Sequence, residues 1–321
     1  MKKRHVLVAS AALALMPLSF AQSSGKPLRI VSSFSPGGPV DFVARTLAEQ
    51  LGRELNRPVI VENKPGANGA LGAMETLRSE PDGSTLWITS VGAAAINPTL
   101  APKLPYNTQR DFAPVSLVAN NVEVLVVNTQ NPAADATEFI KAVKDANEST
   151  AMASSGSGSI PHLALIQLEQ STGAKFLHVP YKGMTPAFTD LIGGQVKGTF
   201  ADVPAIMPHV QGGRLKAIGI ASSKRHPALP DVKTFEEQGI KAVDTNNWYA
   251  LFASAKTPPT VVAHLNKAVR AALAHPEVNA KLLKGGAEPK SSTPQELADF
   301  LKSDTAKWAA LIKARNIKTD E

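Results

Sequence analysis

The stretch VSLVANNVEVLVV, residues 115–127, decides the fold. Apart from Ser116 and Glu123, residues 115–118 and 122–127 are apolar and rich in β-branched side chains, the composition of buried strands. Only Asn120-Asn121 interrupts them. The whole reads as a nearly continuous extended run that leaves one sheet and enters another. A second candidate crossing lies at residues 222–230. A chain of this length could form one sheet or two lobes; two crossings would give two lobes with a cleft between them, lobe 1 being residues 22–123 plus 224–321 and lobe 2 residues 124–223.

Outward from that run, short apolar segments alternate with helical patterns. Further candidate strands are 28–32, 58–62, 85–89, 175–179, 196–200, 215–221 and 249–253. Val43, Leu47, Leu51 and Leu55 recur every four residues, so 40–55 reads as an amphipathic helix. Residues 70–78, 137–146, 162–172, 186–192, 260–274 and 294–315 behave similarly. Strand–helix alternation argues for an α/β fold with mainly parallel sheets.

The first residues stand apart. Lys2, Lys3, Arg4 and His5 precede an uncharged apolar run, 6–20, and Ser19-Phe20-Ala21 offers small residues where a signal peptidase reads. Residues 1–21 therefore read as a signal peptide cut after Ala21. Fifteen residues interrupted by Pro17 are too few to span a bilayer comfortably. Removing Lys2, Lys3 and Arg4 from the 34 cationic residues leaves 31 against 27 acidic ones, a net charge of +4. That gives weak support for a small anionic ligand and none for nucleic acid. Cysteine is absent, so the exported chain has no disulfides and no lipid anchor at the cleavage site.

Gly-rich loops recur where strands meet helices. Ser35-Pro36-Gly37-Gly38 precedes the helix from Pro39, with Gly38 at the cap and Pro39 in the first turn. Pro65-Gly66-Ala67 repeats the arrangement, Thr89-Ser90 ends a strand before Gly92, and residues 154–159 form a Ser/Gly loop before Pro161. Bare backbone at the positive end of a helix suits an anion. A plain turn is the alternative for any one of these loops. In open α/β sheets, ligands sit beyond the carboxyl ends of strands, where such loops gather. Their donors are N–H groups and hydroxyls, so a carboxylate is held by dipoles instead of an ion pair.

Catalytic motifs fail on spacing. Gly156-Ser157-Gly158 is not the nucleophile elbow, and Pro161 stands where a dinucleotide fingerprint needs its third glycine. The seven histidines are scattered singly, which disfavours zinc. His162 reads first as a loop-orienting residue, and Asp41 first as a capping residue. Asp202 either faces the cleft or caps the helix near Pro204. Phe34 and Trp248 either wall a pocket or pack in the core.

Taken in order, SFSPGGPVDFVAR, VIVENKPGANGALGA, EPDGSTLWIT, LPYNTQRDFAPVSLVA, ASSGSGSIPHLA, HVPYKGMTPAFTDLIGGQV and NWYALFASAKTPPTVVAHLNKAV resemble the Bug or TctC family of periplasmic solute-binding proteins serving tripartite tricarboxylate transporters. The resemblance covers nearly the whole chain after residue 21. It implies a two-lobed type II periplasmic-binding fold that closes on ligand, no catalysis and no cofactor or metal. It implies that the ligand carboxylate is gripped by the first two strand–helix loops, Phe34, Ser35, Pro36, Gly37, Gly38 and Asp41 with Gly66, Ala67 and Asn68. Thr89, Ser90, Ser155, Gly156, Gly158, Ser159, His162, Tyr181, Asp202 and Trp248 complete the cleft. Asn68 stands where the family usually has glycine, and Lys233 where proline is common. The expected role is a monomeric periplasmic receptor delivering a small organic acid to membrane permease subunits. A sensor presenting a bound metabolite to a receptor kinase is the alternative.

Overall fold

Phe112 to Asn128 is a single strand, β4 in chain order, and it belongs to two sheets at once. The structure is a computed structural model that describes residues 26–66, 69–101, 103–146, 149–181 and 183–318. Residues 1–21, read above as a signal peptide, lie outside the described residues, as do Ala67 and Asn68.

Ahead of β4 come β1 (Leu28–Ser32), α1 (Pro39–Leu55), β2 (Val59–Asn63), α2 (Ala70–Arg78), β3 (Thr85–Ser90), a π-helical turn (Gly92–Ile96) and two short helices, α3 (Asn97–Leu100) and α4 (Thr108–Asp111). After it come α5 (Ala136–Asp145), β5 (Thr150–Ser154), α6 (Ile160–Thr172), β6 (Phe176–Pro180), α7 (Met184–Ile192), β7 (Gly198–Asp202), α8 (Val203–Gln211) and β8 (Leu215–Ile220). The chain ends with β9 (Asn246–Ser254), α9 (Pro259–Ala274), α10 (Pro276–Lys284), β10 (Glu288–Pro289) and α11 (Pro294–Ala314).

Strand order is β2-β1-β3-β9-β4-β7-β5-β6, with β8 and β10 also on β4. The β1, β2 and β3 pairings are parallel, as are those of β5 with β6 and β7. Antiparallel β9 and β4 join the two parallel sets. Lobe 1 is covered on one face by α1 and α9, through Val43, Leu47, Leu265 and Val269. Its other face holds Trp87, Trp248 and Trp308 with Leu297 and Leu301 of α11. In lobe 2, Leu125, Phe200 and Leu165 occupy one face, and Val124, Val126 and Ile206 the other. Alternation along β4 sends Val124 and Val126 to one side and Leu125 and Val127 to the other, as a strand covered on both faces requires.

The first crossing falls at Asn121–Glu123. Asn121 faces Asn247 and Val122 faces Asn246 on β9, while Glu123 already faces Asp202 on β7. The second crossing corrects the expectation. Residues 222–230 do not return to lobe 1. Phe235, Ile240 and Val243 still pack in the lobe 2 core, and the Gln238 side chain donates to Ile218 O and accepts from the Ala136 amide. The chain crosses back at Thr245, whose carbonyl accepts the Glu123 amide and whose amide donates to Ala221 O. The lobe 2 segment therefore extends about twenty residues beyond position 224, because Phe235 and Val243 need the apolar cover that sheet provides.

Candidate functional site

The first loop folds as its residues dictate. Pro39 opens α1, and Gly38 holds the cap position with an extended backbone. Gly37 has φ +78°, open to glycine at no steric cost. The Gly37 amide donates to Asp41 Oδ2 at 2.9 Å, and the Gly38 amide to Ser35 O at 3.3 Å. Asp41 is buried and also accepts from Arg45 Nε at 2.9 Å and Asn63 Nδ2 at 2.8 Å. Asn63 Nδ2 reaches Phe34 O as well. Burial alone would raise the Asp41 carboxyl. The Arg45 guanidinium, the Gly37 amide and Asn63 outweigh it and hold the group below the usual carboxylate range. Asp41 is thus committed to shaping the loop. Ser35, Pro36 and Gly37 are exposed, while Phe34 and Gly38 are half-buried.

The second loop lies alongside. Ser33 Oγ donates to Gly69 O at 2.9 Å and accepts from Trp87 Nε1 at 2.6 Å. Gly69 begins α2 with φ +93° and leaves no room for a side chain, since a Cβ there would sit 2.6 Å from that of Ala93. Gly66 is exposed, with φ +130°. The two Gly turns therefore start at the carboxyl ends of neighbouring parallel strands, β1 and β2. Thr89 and Ser90 end β3 and are buried. The Thr89 hydroxyl has no partner.

In lobe 2, the Ser/Gly loop follows β5. Ser154 Oγ donates to Gly156 O and lies 2.6 Å from His178 Nε2. Ser159 Oγ also donates to Gly156 O. The Gly158 amide donates to His162 Nδ1 at 2.9 Å, so His162 orients the loop from the first turn of α6. His162 and His178 stack in parallel, with centroids 3.7 Å apart and planes 3° apart. Ser155 and Gly156 are half-buried, while Gly158 is buried against Leu100 of lobe 1. Tyr181 Oη donates to Asp190 Oδ2 at 2.6 Å, and that bond pushes the phenol up to about 12.

Asp202 occupies the cap position of α8, but its carboxylate turns to β9. It accepts from Tyr249 Oη and, at 3.2 Å, from Asn247 Nδ2. Asn247 Nδ2 also reaches Glu123 Oε1 at 3.3 Å. Burial pushes Asp202 up against the opposing pull of the Tyr249 hydroxyl. Burial and then the Asp202 charge push Glu123 well up. Trp248 is no cleft wall. It is fully buried, its Nε1 donates to Asp304 Oδ2 at 2.8 Å, and Trp308 Nε1 donates to the same oxygen. Alternation explains it, since Trp248 and Tyr249 point to opposite faces of β9 and Tyr249 takes the joint.

Sequence reasoning missed Arg45, Asn63, Glu123, His178, Asn247 and Tyr249. His178 and Asn63 stand within or beside the Gly-rich motifs, and spacing gave no sign of their partners. A cavity of about 410 Å³ lies beside the joint, lined by Asn120, Val122, Ser222, His226, Asn246 and Glu288. None of the residues expected to hold ligand lines it. Among the described residues, no cluster of three or more His, Cys, Asp or Glu could hold a metal, and no helix is long and apolar enough to cross a membrane.

Two parallel sheets joined by crossing strands, with Gly and Ser loops at their carboxyl ends, define a two-lobed periplasmic solute-binding protein. The chain matches TctC, the tripartite tricarboxylate transporter family receptor, over residues 43–317, and it belongs to that family. The family comprises solute receptors, not enzymes. The chain is 33% identical to Protein BugT of Bordetella pertussis over 314 residues, 98% of this chain and 96% of the relative. Similar solved structures include two with a bound ligand. MatC (Rpa3494) from Rhodopseudomonas palustris with bound malate has a TM-score of 0.79 and 31% identity, covering 89% of this chain and 98% of that one. R. palustris Rpa4515 with adipate has a TM-score of 0.85 and 28% identity, covering 91% and 98%.

Proposed function

We propose that this receptor captures a small carboxylate between its lobes and delivers it to the membrane subunits of a tripartite transporter. The carrying observation is that the first two Gly turns follow neighbouring parallel strands, that the Ser33–Gly69 bond ties the segments beside them, and that each turn precedes a helix, α1 or α2. The loop residues there carry backbone amides and hydroxyls, and the one carboxylate, Asp41, is already neutralised by Arg45. Helix N-termini supply the positive potential. Solved relatives with malate and adipate support a carboxylate ligand. Phe34, Ser35, Pro36, Gly37, Gly38, Gly66, Ala67 and Asn68 form the proposed lobe 1 grip, with Asp41 positioning it. Thr89 and Ser90 complete the lobe 1 side, and Ser155, Gly156, Gly158, Ser159, His162 and Tyr181 form the facing wall. Residues 1–21 direct export and are cut after Ala21, and the receptor acts as a monomer in the periplasm.

Native mass spectrometry of the purified protein identifies the retained solute, and a thermal-shift panel of mono-, di- and tricarboxylates ranks it. Binding raises the melting temperature by mass action. No shift with any carboxylate at millimolar concentration would refute the proposal.

A further inference from the structure

The joint between the lobes carries a polar face that ligand capture does not explain. Asn121 and Glu123 alternate along β4, Asn247 and Tyr249 along β9, and Asp202 faces Glu123 from β7. All but Asn247 are buried to at least nine-tenths. Two carboxylates thus sit side by side away from water. Their donors are neutral, the Tyr249 hydroxyl and the Asn247 amide. Among the described residues, Glu123 Oε2, Thr245 Oγ1, Asn247 Oδ1 and both polar side-chain atoms of Asn121 have no hydrogen-bond partner, so this face carries unpaired acceptors and donors and no cation.

The ionisable groups around this face are otherwise engaged: on β10, Glu288 lies 3.8 Å from the His226 imidazole, and on β8, Lys216 donates to Asn131 O. On α6, His162 binds the Gly158 amide and stacks on His178, and Glu169 accepts from the Phe176 amide and pairs with Arg315. On α7, Asp190 holds Tyr181. On α8, His209 lies against Phe188, and on α11, Asp304 holds two indoles. The ionisable side chains of α9, namely His264, Lys267 and Arg270, are exposed. No ion pair with Lys, Arg or His reaches Glu123 or Asp202 among the described residues.

Two buried carboxylates that share a site cannot both ionise without a large desolvation and repulsion cost. We infer that Glu123 and Asp202 hold a single proton between them in the folded protein, and that this proton keeps together the polar joint on which the lobes turn. Protonation of Glu123 removes one of the two like charges that face each other across the β4–β7 pairing. Asp202 keeps its charge and the bonds from Tyr249 and Asn247, which run from lobe 1 to lobe 2. Without the proton, like charges face each other on directly paired residues of β4 and β7, and the joint loosens. The inference is independent of which solute the cleft takes.

Linkage provides the test. An acid whose folded value is raised binds more protons folded than unfolded, so stability falls as pH rises from its unfolded value of roughly 4.3 towards the folded one. Urea denaturation of the wild type and of Glu123→Gln is compared between about pH 5 and about pH 9. The wild-type folding constant is expected to fall relative to the variant by up to tenfold per pH unit in that window. Parallel profiles would overturn the inference. Should Glu123→Gln not fold, infrared spectroscopy of the intact wild type reads the same proton. A carboxylic-acid carbonyl band at neutral pH, lost on raising the pH, supports it, and no such band overturns it. Sodium and calcium chloride titrations at alkaline pH are the third arm. Saturable stabilisation of the wild type alone would assign the joint to a cation in place of the proton.

Discussion

Replacing Asp41 by alanine separates a residue that shapes the anion loop from one that touches the ligand. The carboxylate makes three kinds of bond, to the Gly37 amide, to Asn63 and to Arg45. The Gly37 amide is exposed, so water replaces its acceptor at little cost. Arg45 is 52% exposed, which limits the ion pair to roughly 0–1 kcal/mol. Loss of a carboxylate in the first turn of α1 removes about 0.3–1 kcal/mol of dipole stabilisation. The part-buried bond to Asn63 adds about 1 kcal/mol. The sum is about 2 kcal/mol, measured as a shift of the urea midpoint. Freeing one or two loop residues costs a further ~1–2 kcal/mol each on binding, so affinity is expected to fall by about tenfold or more. Isothermal titration with the carboxylate recovered by mass spectrometry measures it. Unchanged affinity in a destabilised variant would show that the loop is not the grip. Tighter binding would show that Asp41 repels the ligand directly. Because the folded Asp41 value lies below the unfolded one, its stabilisation is present above roughly pH 3.9 and is lost as pH falls through the folded value.

Gly72→Ala places a Cβ 2.7 Å from Ser33 Oγ and 3.1 Å from Ser33 Cα. It should push α2 off β1 and destabilise by about 1–3 kcal/mol, and a loss below about 0.5 kcal/mol in urea would show that this contact yields freely. Asp304→Ala leaves the indole N–H groups of Trp248 and Trp308 without their acceptor. A loss of about 2–5 kcal/mol is expected, and near-wild-type stability with unchanged tryptophan emission would contradict it. His178→Ala removes both the ring stacked on His162 and the partner of Ser154 Oγ. Amide exchange at Gly158 should quicken and ligand affinity should drop, and unaltered exchange would show that the stack does not hold the loop.

Much of this architecture is legible before folding. Helices α1, α2 and α11 announce themselves by apolar spacing of three and four, and β1, β3 and β4 by β-branched runs. Strand β5 escapes because Thr150-Ala-Met-Ala-Ser is small and lacks that composition. The return crossing is misread for an instructive reason. Residues 222–230 look like a linker because Ser, Lys, Arg and Pro crowd there, but a polar turn can still lie on its own lobe when Phe235 and Val243 follow it. The better signal is a second Asn-Asn pair. Asn246-Asn247 mirrors Asn120-Asn121, and Asn247 faces Asn121 where β4 changes sheets. Covering helices withdraw at a joint, so apolar residues give way to polar ones. Side-chain partnerships such as Asp41 with Asn63, or Asp202 with Tyr249, join residues 22 and 47 positions apart, and no local pattern encodes them.

Strand β9 sits between β3 and β4 in the middle of lobe 1, although it lies in the last third of the chain. The amino-terminal half thus cannot complete its own sheet while the polypeptide is being made. Until Ser254 has left the ribosome, β3 has an open edge and the crossing strand lacks its lobe 1 neighbour. Every strand of lobe 2 has by then been made, so lobe 1 is the lobe that waits for its central piece.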